Sequence, residues 1–548
     1  MTAATDFDMG AEFDVSAEFD MSTASDMDAE FESDTGPGGE TAGPQLYDLV
    51  GVGIGPFNLS LAALADSVSA LRCLFLDDKP RFGWHPGMMV DGATLQVPFL
   101  ADLVTLVDPT SRHSYLAHLR DTGRLFGFYF AERLHVPRAE YEAYCRAVAE
   151  SLPFCRFGHR VAEIHPAALP GGADGFCVVH QTPDGTSSAV LARNVVLGIG
   201  TEPSVPAALW HLCAESADGT DGAEPVTTHS ADYVYCAERI QSADDVTVLG
   251  SGQSGAEVVL DLLRRWHRPG RRLRWITRAA AFEPMEYSKI GLEHFTPDYA
   301  DFFHTLPEAR RDALLRGQGR LYKAVSAETL ADIRAELDAR SFRPDGSGAT
   351  GVTLMPGAEA VDGRREGREV ELTMRHTHTE QYFTVRTERL VLATGYMVRE
   401  PALLAPIAQL IERDTAGRPI VGRDHRVRLN GTAAGLYVQN AELHTHGVGA
   451  PDLGLGAYRA ATILNTVTGR PVHPLPRRTA HTAFAPATAA AADPGITVHT
   501  TGTPLGPAAD QPGGRPGARP PAARAEFVAA TGRARHAAPL GRGAAGPR

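Results

Sequence analysis

The chain has 548 residues, with 52 Lys and Arg against 66 Asp and Glu, for a formal charge of −14. Residues 1–44 carry twelve acids and no Lys or Arg, while 486–548 carry seven Arg against three acids, which leaves −6 for the stretch between. That balance excludes a basic nucleic-acid surface, no apolar run approaches the ~18–20 residues of a membrane helix, and a body of about 440 residues is too long for one core.

The N-terminal stretch opens with a repeat, Phe7-Asp8-Met9-Gly10-Ala11-Glu12 and Phe13-Asp14-Val15-Ser16-Ala17-Glu18. Its charges repel and its period suits no packed unit, so a solvated acidic tail is expected over 1–44. No basic segment leads into an apolar run there, which argues against a secretory leader. The six cysteines are scattered without a Cys-x-x-Cys pair. A disulfide framework or zinc site is not expected, and the protein reads as reduced and cytoplasmic.

The body begins with a β-branched apolar run over 46–54, then a helix over 58–65 and a second strand over 71–76. This is the opening of a parallel βαβ unit. Its turn, Gly53-Ile54-Gly55-Pro56-Phe57-Asn58, is a GxGxxG pattern with Asn in the third glycine place. The first glycine permits the tight turn, and the second lets the backbone approach a pyrophosphate at the helix N-terminus. Asp77, twenty-four residues after Gly53, is placed to accept from ribose hydroxyls; Asp78 beside it is expected to face solvent.

The same order returns with a strand over 246–249, Gly250-Ser251-Gly252-Gln253-Ser254-Gly255, a helix over 256–266 and a strand over 273–277. This second strand runs into Arg278 rather than an acid. A guanidinium binds a 2′-phosphate that a carboxylate would repel, so NADP rather than NAD is expected. Two apolar runs ending in glycine, 195–201 and 391–396, suit crossings between two nucleotide domains. The expected fold is α/β, with two Rossmann-like dinucleotide-binding domains. The first (45–205) is interrupted by the second (206–385), which carries a small, mostly helical substrate region, and is completed over 386–475. Residues 476–548, rich in Ala, Pro, Gly and Arg, read as a second disordered tail.

Two dinucleotide folds with an Ala393-Thr394-Gly395 crossing resemble class B flavin monooxygenases. Within these the chain resembles the N-hydroxylating monooxygenases of siderophore biosynthesis that act on lysine, ornithine or diamines. The resemblance rests on residues 51–61 including Asn58, on Trp84-His85-Pro86-Gly87-Met88, on Leu95-Gln96-Val97-Pro98-Phe99-Leu100, and on Leu443-His444-Thr445-His446-Gly447. It implies FAD held by Gly53, Gly55, Pro56, Asn58, Asp77, Trp84, His85, Gln96, Thr394, Gly395, His446 and Gly447. It implies NADPH held by Gly250, Gly252, Gln253, Ser254, Gly255 and Arg278. NADPH then reduces FAD, O₂ adds to form a C4a-hydroperoxide, and a neutral primary amine takes the distal oxygen to become a hydroxylamine. The hard chemistry is the cofactor's, so no side-chain nucleophile is expected. Gln96, with a donor and an acceptor beside the reactive edge, is the one catalytic candidate. His444 and His446 lack a third ligand and are expected to be structural, with no metal. Relatives of this kind often form tetramers, so a homo-oligomer is expected, with the amine and O₂ as small-molecule partners and neither nucleic acid nor membrane.

The family's amino-acid hydroxylases carry a lysine soon after the Gln, in a Phe-Leu-Lys-Asp-Leu pattern, and its ammonium pairs with the substrate carboxylate. Here the segment is Phe99-Leu100-Ala101-Asp102-Leu103. A buried carboxylate without its cation costs several kcal/mol, so Ala101 better matches a diamine such as cadaverine or putrescine. Glu283, Glu286 and Glu293 are candidates for its second ammonium, and Tyr322 is a further substrate-side candidate. Lys289 or Lys323 could instead supply the missing charge and return L-lysine or L-ornithine as substrate. A disulfide reductase would need a redox cysteine pair beyond the FAD turn, where Cys73 stands alone. A Baeyer–Villiger enzyme would carry an FxGxxxHxxx motif, absent around residues 201–210. A non-catalytic interaction protein on the same fold is disfavoured by two intact glycine fingerprints.

Overall fold

The computed structural model describes residues 44–217, 225–266, 270–342 and 351–498. The acidic tail, apart from Pro44, and residues 499–548 lie outside the described residues.

The first sheet is built from β1 (Leu46–Val52), β2 (Cys73–Asp77), β3 (Cys155–Phe157), β4 (Arg160–Ala168), β5 (Asp174–Gln181) and β6 (Ser187–Leu197), in the order β3-β2-β1-β6-β5-β4. The long β6 divides its outer edge. Residues up to Ala192 pair antiparallel with β5, and Asn194–Leu197 pair parallel with a strand from far down the chain, Gly435–Val438. The strands forming the parallel core are buried on both faces, which is why β1 and β2 read as continuous apolar runs. Leu49 and Phe75 face a layer made by the helices Pro56–Ala65, Arg138–Ser151 and Gly456–Thr468. Val50 and Leu74 face the other way, toward Phe176, Val195 and Ile407. The helix Pro56–Ala65 is buried nearly all round, as a helix without a polar face must be.

The chain leaves this sheet through β7 (Glu202–Pro203) and enters a second one containing β8 (Thr227–His229), β9 (Asp245–Leu249), β10 (Arg272–Ile276) and β11 (Val352–Met355). An antiparallel sheet of β12 (Ala358–Glu366), β13 (Glu369–His376) and β14 (Tyr382–Thr387) follows. Then β15 (Arg389–Leu392) runs between β9 and β8, giving the parallel order β11-β10-β9-β15-β8. Two short strands, β7 and β16 (Tyr396–Met397), pair antiparallel, so the outgoing and returning crossings form one ribbon. The strand that rejoins the first sheet is β17 (Gly435–Val438). The expected return at residue 386 therefore falls too early: the apolar run 389–392 that seemed to start it is a strand of the second sheet. An apolar strand ending in glycine looks the same whichever sheet it joins.

The substrate region is helical, with Pro297–Thr305, Glu308–Gly317, Gly319–Tyr322 and Ala327–Ser341. The described residues through Ala485 belong to one compact unit, and a separate one begins at Pro486 with the helix Pro486–Ala492. The disordered tail expected from residue 476 needs correction over its first ten residues. Thr479 N–H donates to Asp298 (2.6 Å), and Glu293 accepts the N–H groups of His481 (3.0 Å) and Thr482 (2.7 Å). Phe484 stacks on Phe302 at 6.1 Å and meets Tyr299 edge-on at 5.0 Å. Two acids and an aromatic cluster distant in sequence hold this segment, which its own composition does not reveal.

Candidate active site and the two nucleotide turns

Both glycine turns sit at the C-terminal ends of parallel strands, β1 and β9, where open α/β sheets bind nucleotides. Gly53 has φ +84°, and a Cβ there would lie 2.8 Å from the Gly198 carbonyl oxygen. Gly250 has φ +114°, and a Cβ would lie 2.1 Å from the oxygen of Ala393. Gly255, the third glycine, would drive a Cβ to 2.3 Å from Gly250 O. The helices begin with Gly55 and Gly252 as N-caps, and no side chain caps either. Their first-turn N–H groups thus remain donors for a pyrophosphate, and the first turn fits FAD as the second fits NADPH.

Asn58 explains its place in the fingerprint. It is fully buried, and its Nδ2 donates to the carbonyls of Val52 (3.1 Å), Gly53 (2.8 Å) and Val196 (3.3 Å). Its Oδ1 accepts from Gln439 Nε2 at 2.7 Å. Where glycine would only permit close packing, Asn ties the ends of β1 and β6 to the residue after β17. Asp77 accepts the N–H groups of Ile54 (2.6 Å) and Lys79 (2.9 Å) on separate oxygens. It closes the turn itself, and each oxygen keeps acceptor capacity for a ribose hydroxyl.

The Trp84–Met88 segment is docked between the two nucleotide domains. A Cβ on Gly87 would lie 1.8 Å from Ala231 O. Arg138 donates to Met88 O (2.9 Å) and forks onto Glu257 (2.9 and 2.6 Å), joining the helix Arg138–Ser151 to the helix of the second turn. Trp84 meets Tyr141 edge-on, and His85, in the left-handed region at φ 48°, lies 6.0 Å from the Tyr396 ring. Protein crowding, then the Arg138 and Lys79 cations, hold His85 down to about 4, so it is neutral at physiological pH. Thr394 donates to the Ser204 carbonyl, and Ser204 N–H to Gly395 O at 2.9 Å, which places both residues in the ribbon of crossings.

In the second turn, the side chain of Gln253 is engaged by protein: Oε1 accepts Ser326 N–H (2.8 Å), and Nε2 donates to Glu257 and Thr329. It clamps the substrate region over the turn, leaving its backbone for a nucleotide. Ser254 sits in the first helical turn. Arg278, two residues beyond β10, is exposed.

Gln96 is half-buried; its Nε2 donates to Thr94 O (2.7 Å), and its backbone carbonyl accepts the Tyr287 hydroxyl (3.0 Å). Ala101 is buried in a loop organised by Asp102, whose carboxylate accepts from the N–H groups of Val104, Thr105 and Tyr115 and from the Thr105 hydroxyl. The candidate acids do not converge there. Glu293 holds residues 481–482, Glu286 accepts Ser288 N–H at 2.7 Å on an exposed turn, and Glu283 faces Arg320 at 4.0 Å. Tyr322 packs with the cluster of Tyr299, Phe303 and Val448, beneath Lys323. The Lys323 backbone lies on the second glycine turn, 3.5 Å from a Cβ on Gly252, and Lys289 is exposed.

Behind Gly447 lies a buried cluster that no local motif reveals. His446 stacks on His425 at 4.2 Å, and Glu442 pairs with Arg459 (3.1 Å) and His425 (3.4 Å). His444 Nε2 donates to the Pro419 carbonyl at 2.8 Å, which fixes it structurally. Among the described residues no group of three or more His, Cys, Asp or Glu could hold a metal, and no helix is long and apolar enough to cross a membrane.

Two dinucleotide folds, uncapped glycine turns and an arginine at the second fit a flavoprotein that uses FAD and NADPH. A sequence profile described as L-lysine 6-monooxygenase/L-ornithine 5-monooxygenase matches residues 45–398, and the chain belongs to that family. It is 39% identical over 443 residues to a putrescine N-hydroxylase of Shewanella oneidensis, covering 80% of this chain and 84% of the relative. The FAD-bound cadaverine monooxygenase DfoA of Erwinia amylovora superposes with TM-score 0.74 at 38% identity, over 80% of this chain and 99% of that one. The ornithine N-hydroxylase KtzI of Kutzneria, solved with reduced FAD, NADP⁺ and L-ornithine, gives TM-score 0.70 at 27% identity, over 77% and 99%. The chain is an NADPH-dependent flavin N-monooxygenase.

Proposed function

We propose that this enzyme hydroxylates one terminal amine of a diamine, putrescine or cadaverine, in hydroxamate siderophore biosynthesis. The observation that carries the reading is Ala101, buried at 5% exposure in a loop rigidified by Asp102. A methyl group there offers nothing to a substrate carboxylate, and a buried carboxylate without a cation is costly. The names of the putrescine and cadaverine enzymes above support the same reading.

Bound FAD supplies the oxygen-transfer chemistry once NADPH has reduced it. The protein's part is to hold and shield. The Gly53 and Gly250 turns would receive the two pyrophosphates, Asp77 the FAD ribose and Arg278 the 2′-phosphate. Trp84, His85, Thr394, Gly395, His446 and Gly447 would wall the flavin, and Gln96 would present its amide to the amine. The test is NADPH-dependent hydroxylamine formation from putrescine, cadaverine, lysine and ornithine by wild type and Ala101→Lys. Wild type should favour a diamine, and the variant should shift toward the amino acids, chiefly in KM. A wild type that prefers lysine or ornithine overturns the reading.

A homo-oligomer is the second part of the proposal. The helix Leu125–Ala131 leaves Phe126, Tyr129 and Phe130 exposed at 78%, 71% and 74%, with Leu134 nearby at 60%. An aromatic face of that kind is what a partner copy covers.

A further inference from the structure

We infer that Asp452 is the specificity-determining residue that holds the second ammonium of the substrate. This deepens the diamine reading and rests on it. Asp452 opens a short 3₁₀ turn, Leu453–Leu455, with Oδ1 accepting Gly454 N–H at 2.7 Å. Besides Gly454 N–H the carboxylate meets the Leu455 N–H, and no Lys, Arg or His among the described residues is ion-paired with it. Burial pushes the group up to about 6 from an ordinary 3.8, and the N–H groups of Gly454 and Leu455 with the more distant Arg459 offset this only in part. The carboxylate is thus half-buried without a cation in ion-pair contact among the described residues.

Its position gives that acid a use. A Cβ built on Gly454 would lie 4.0 Å from the Ala101 methyl, so the turn that Asp452 opens packs on the loop of Ala101. The Tyr287 hydroxyl is close enough to feel the Asp452 carboxylate, and it donates to the Gln96 backbone carbonyl at 3.0 Å. Gln96, Ala101, Tyr287 and Asp452 come from three separate stretches of chain and meet here. Glu283, Glu286 and Glu293 are engaged elsewhere, and Glu328, whose charge also reaches Tyr287, is exposed at the start of its helix, so Asp452 is the sheltered acid of this group that can take a cation. An incoming ammonium would relieve its burial, whereas an α-carboxylate at the same place would meet like charge. Attraction and repulsion then select in the same direction.

The test compares putrescine with butylamine and cadaverine with pentylamine, each pair differing by the distal amine. FAD-loaded wild type, Asp452→Asn and Asp452→Glu are assayed for hydroxylamine formation, and diamine affinity is measured by calorimetry. Asn keeps the acceptor for Gly454 N–H but removes the charge. Asp452→Ser, which also keeps an acceptor, carries the same expectation should the Asn variant not fold. The diamine-to-monoamine ratio of kcat/KM should fall about tenfold or more in Asp452→Asn, with a matching loss in diamine Kd and partial recovery in Asp452→Glu. A wild type that uses diamines while the ratio and Kd stay unchanged in Asp452→Asn overturns the role of Asp452 alone. A wild type that uses lysine or ornithine and no diamine overturns the substrate reading and this inference with it.

Discussion

Arg278 ends its strand in water with an exposed guanidinium, a planar fork that fits a phosphate. Losing one charge-assisted, bidentate contact costs about 1.5–3 kcal/mol. Arg278→Ala should therefore weaken NADPH by roughly ten- to a hundredfold while leaving NADH nearly unchanged. Stopped-flow flavin reduction with the two nucleotides checks this; an equal change for both would assign the selection elsewhere. Glu442 makes a different residue-scale statement. Burial alone would raise its carboxyl, but the Arg459 and His425 charges outweigh it and hold the group down to about 2, against an ordinary 4.5. A carboxyl depressed in the folded state adds stability above its unfolded value and loses it as pH falls toward the folded one. At about 1.4 kcal/mol per unit this is of order 3 kcal/mol. Urea melts should show Glu442→Gln well below wild type at neutral pH, with the gap closing as the pH falls from about 4.5 toward 2.

At the scale of elements, the segment 476–485 is the informative one. It caps Glu293 and Asp298 and buries Phe484 against the helix Pro297–Thr305. A chain ending at Ala485 should keep its melting temperature and flavin, whereas one ending at Leu475 should lose roughly 2–4 kcal/mol and bind substrate more weakly. Thermal melts and KM for the amine separate the two. The same segment shows where the sequence was legible. The βαβ openings, both turns and Arg278 follow local rules of glycine, strand and terminal charge, and the strands fall within one or two residues of expectation. The helix of the second turn starts at Gln253, three residues before the apolar stripe, because its N-cap is Gly252. What local rules do not reach is pairing between distant stretches. The sheet that 389–392 would join, the docking of 477–484 and the His425–Glu442–Arg459 cluster each depend on partners far along the chain. Glu293 illustrates the site: by position it was a substrate acid, and by structure it anchors backbone. Asp452 lay in a motif-poor stretch and is visible only once the turn at Gly454 is packed on Ala101.

For the whole molecule, the Arg138–Glu257 pair and the ribbon of β7 and β16 are the joints between the nucleotide domains. The pair is buried, so removing either partner leaves a charge without compensation, a loss of about 3–5 kcal/mol. The ribbon has a mechanical consequence. One strand of polypeptide between two bodies behaves as a swivel, free to turn about every axis. Two strands zipped together behave as a leaf spring: bending across the ribbon is soft, while sliding or twisting along it must break Tyr396↔Pro203 and Met397↔Glu202 pairing. Gly200 at φ +80° and Gly395 at φ +89°, both with open space where a Cβ would stand, mark the bending line. Any motion of one nucleotide domain on the other would therefore follow a single arc, bending across the ribbon rather than turning about it.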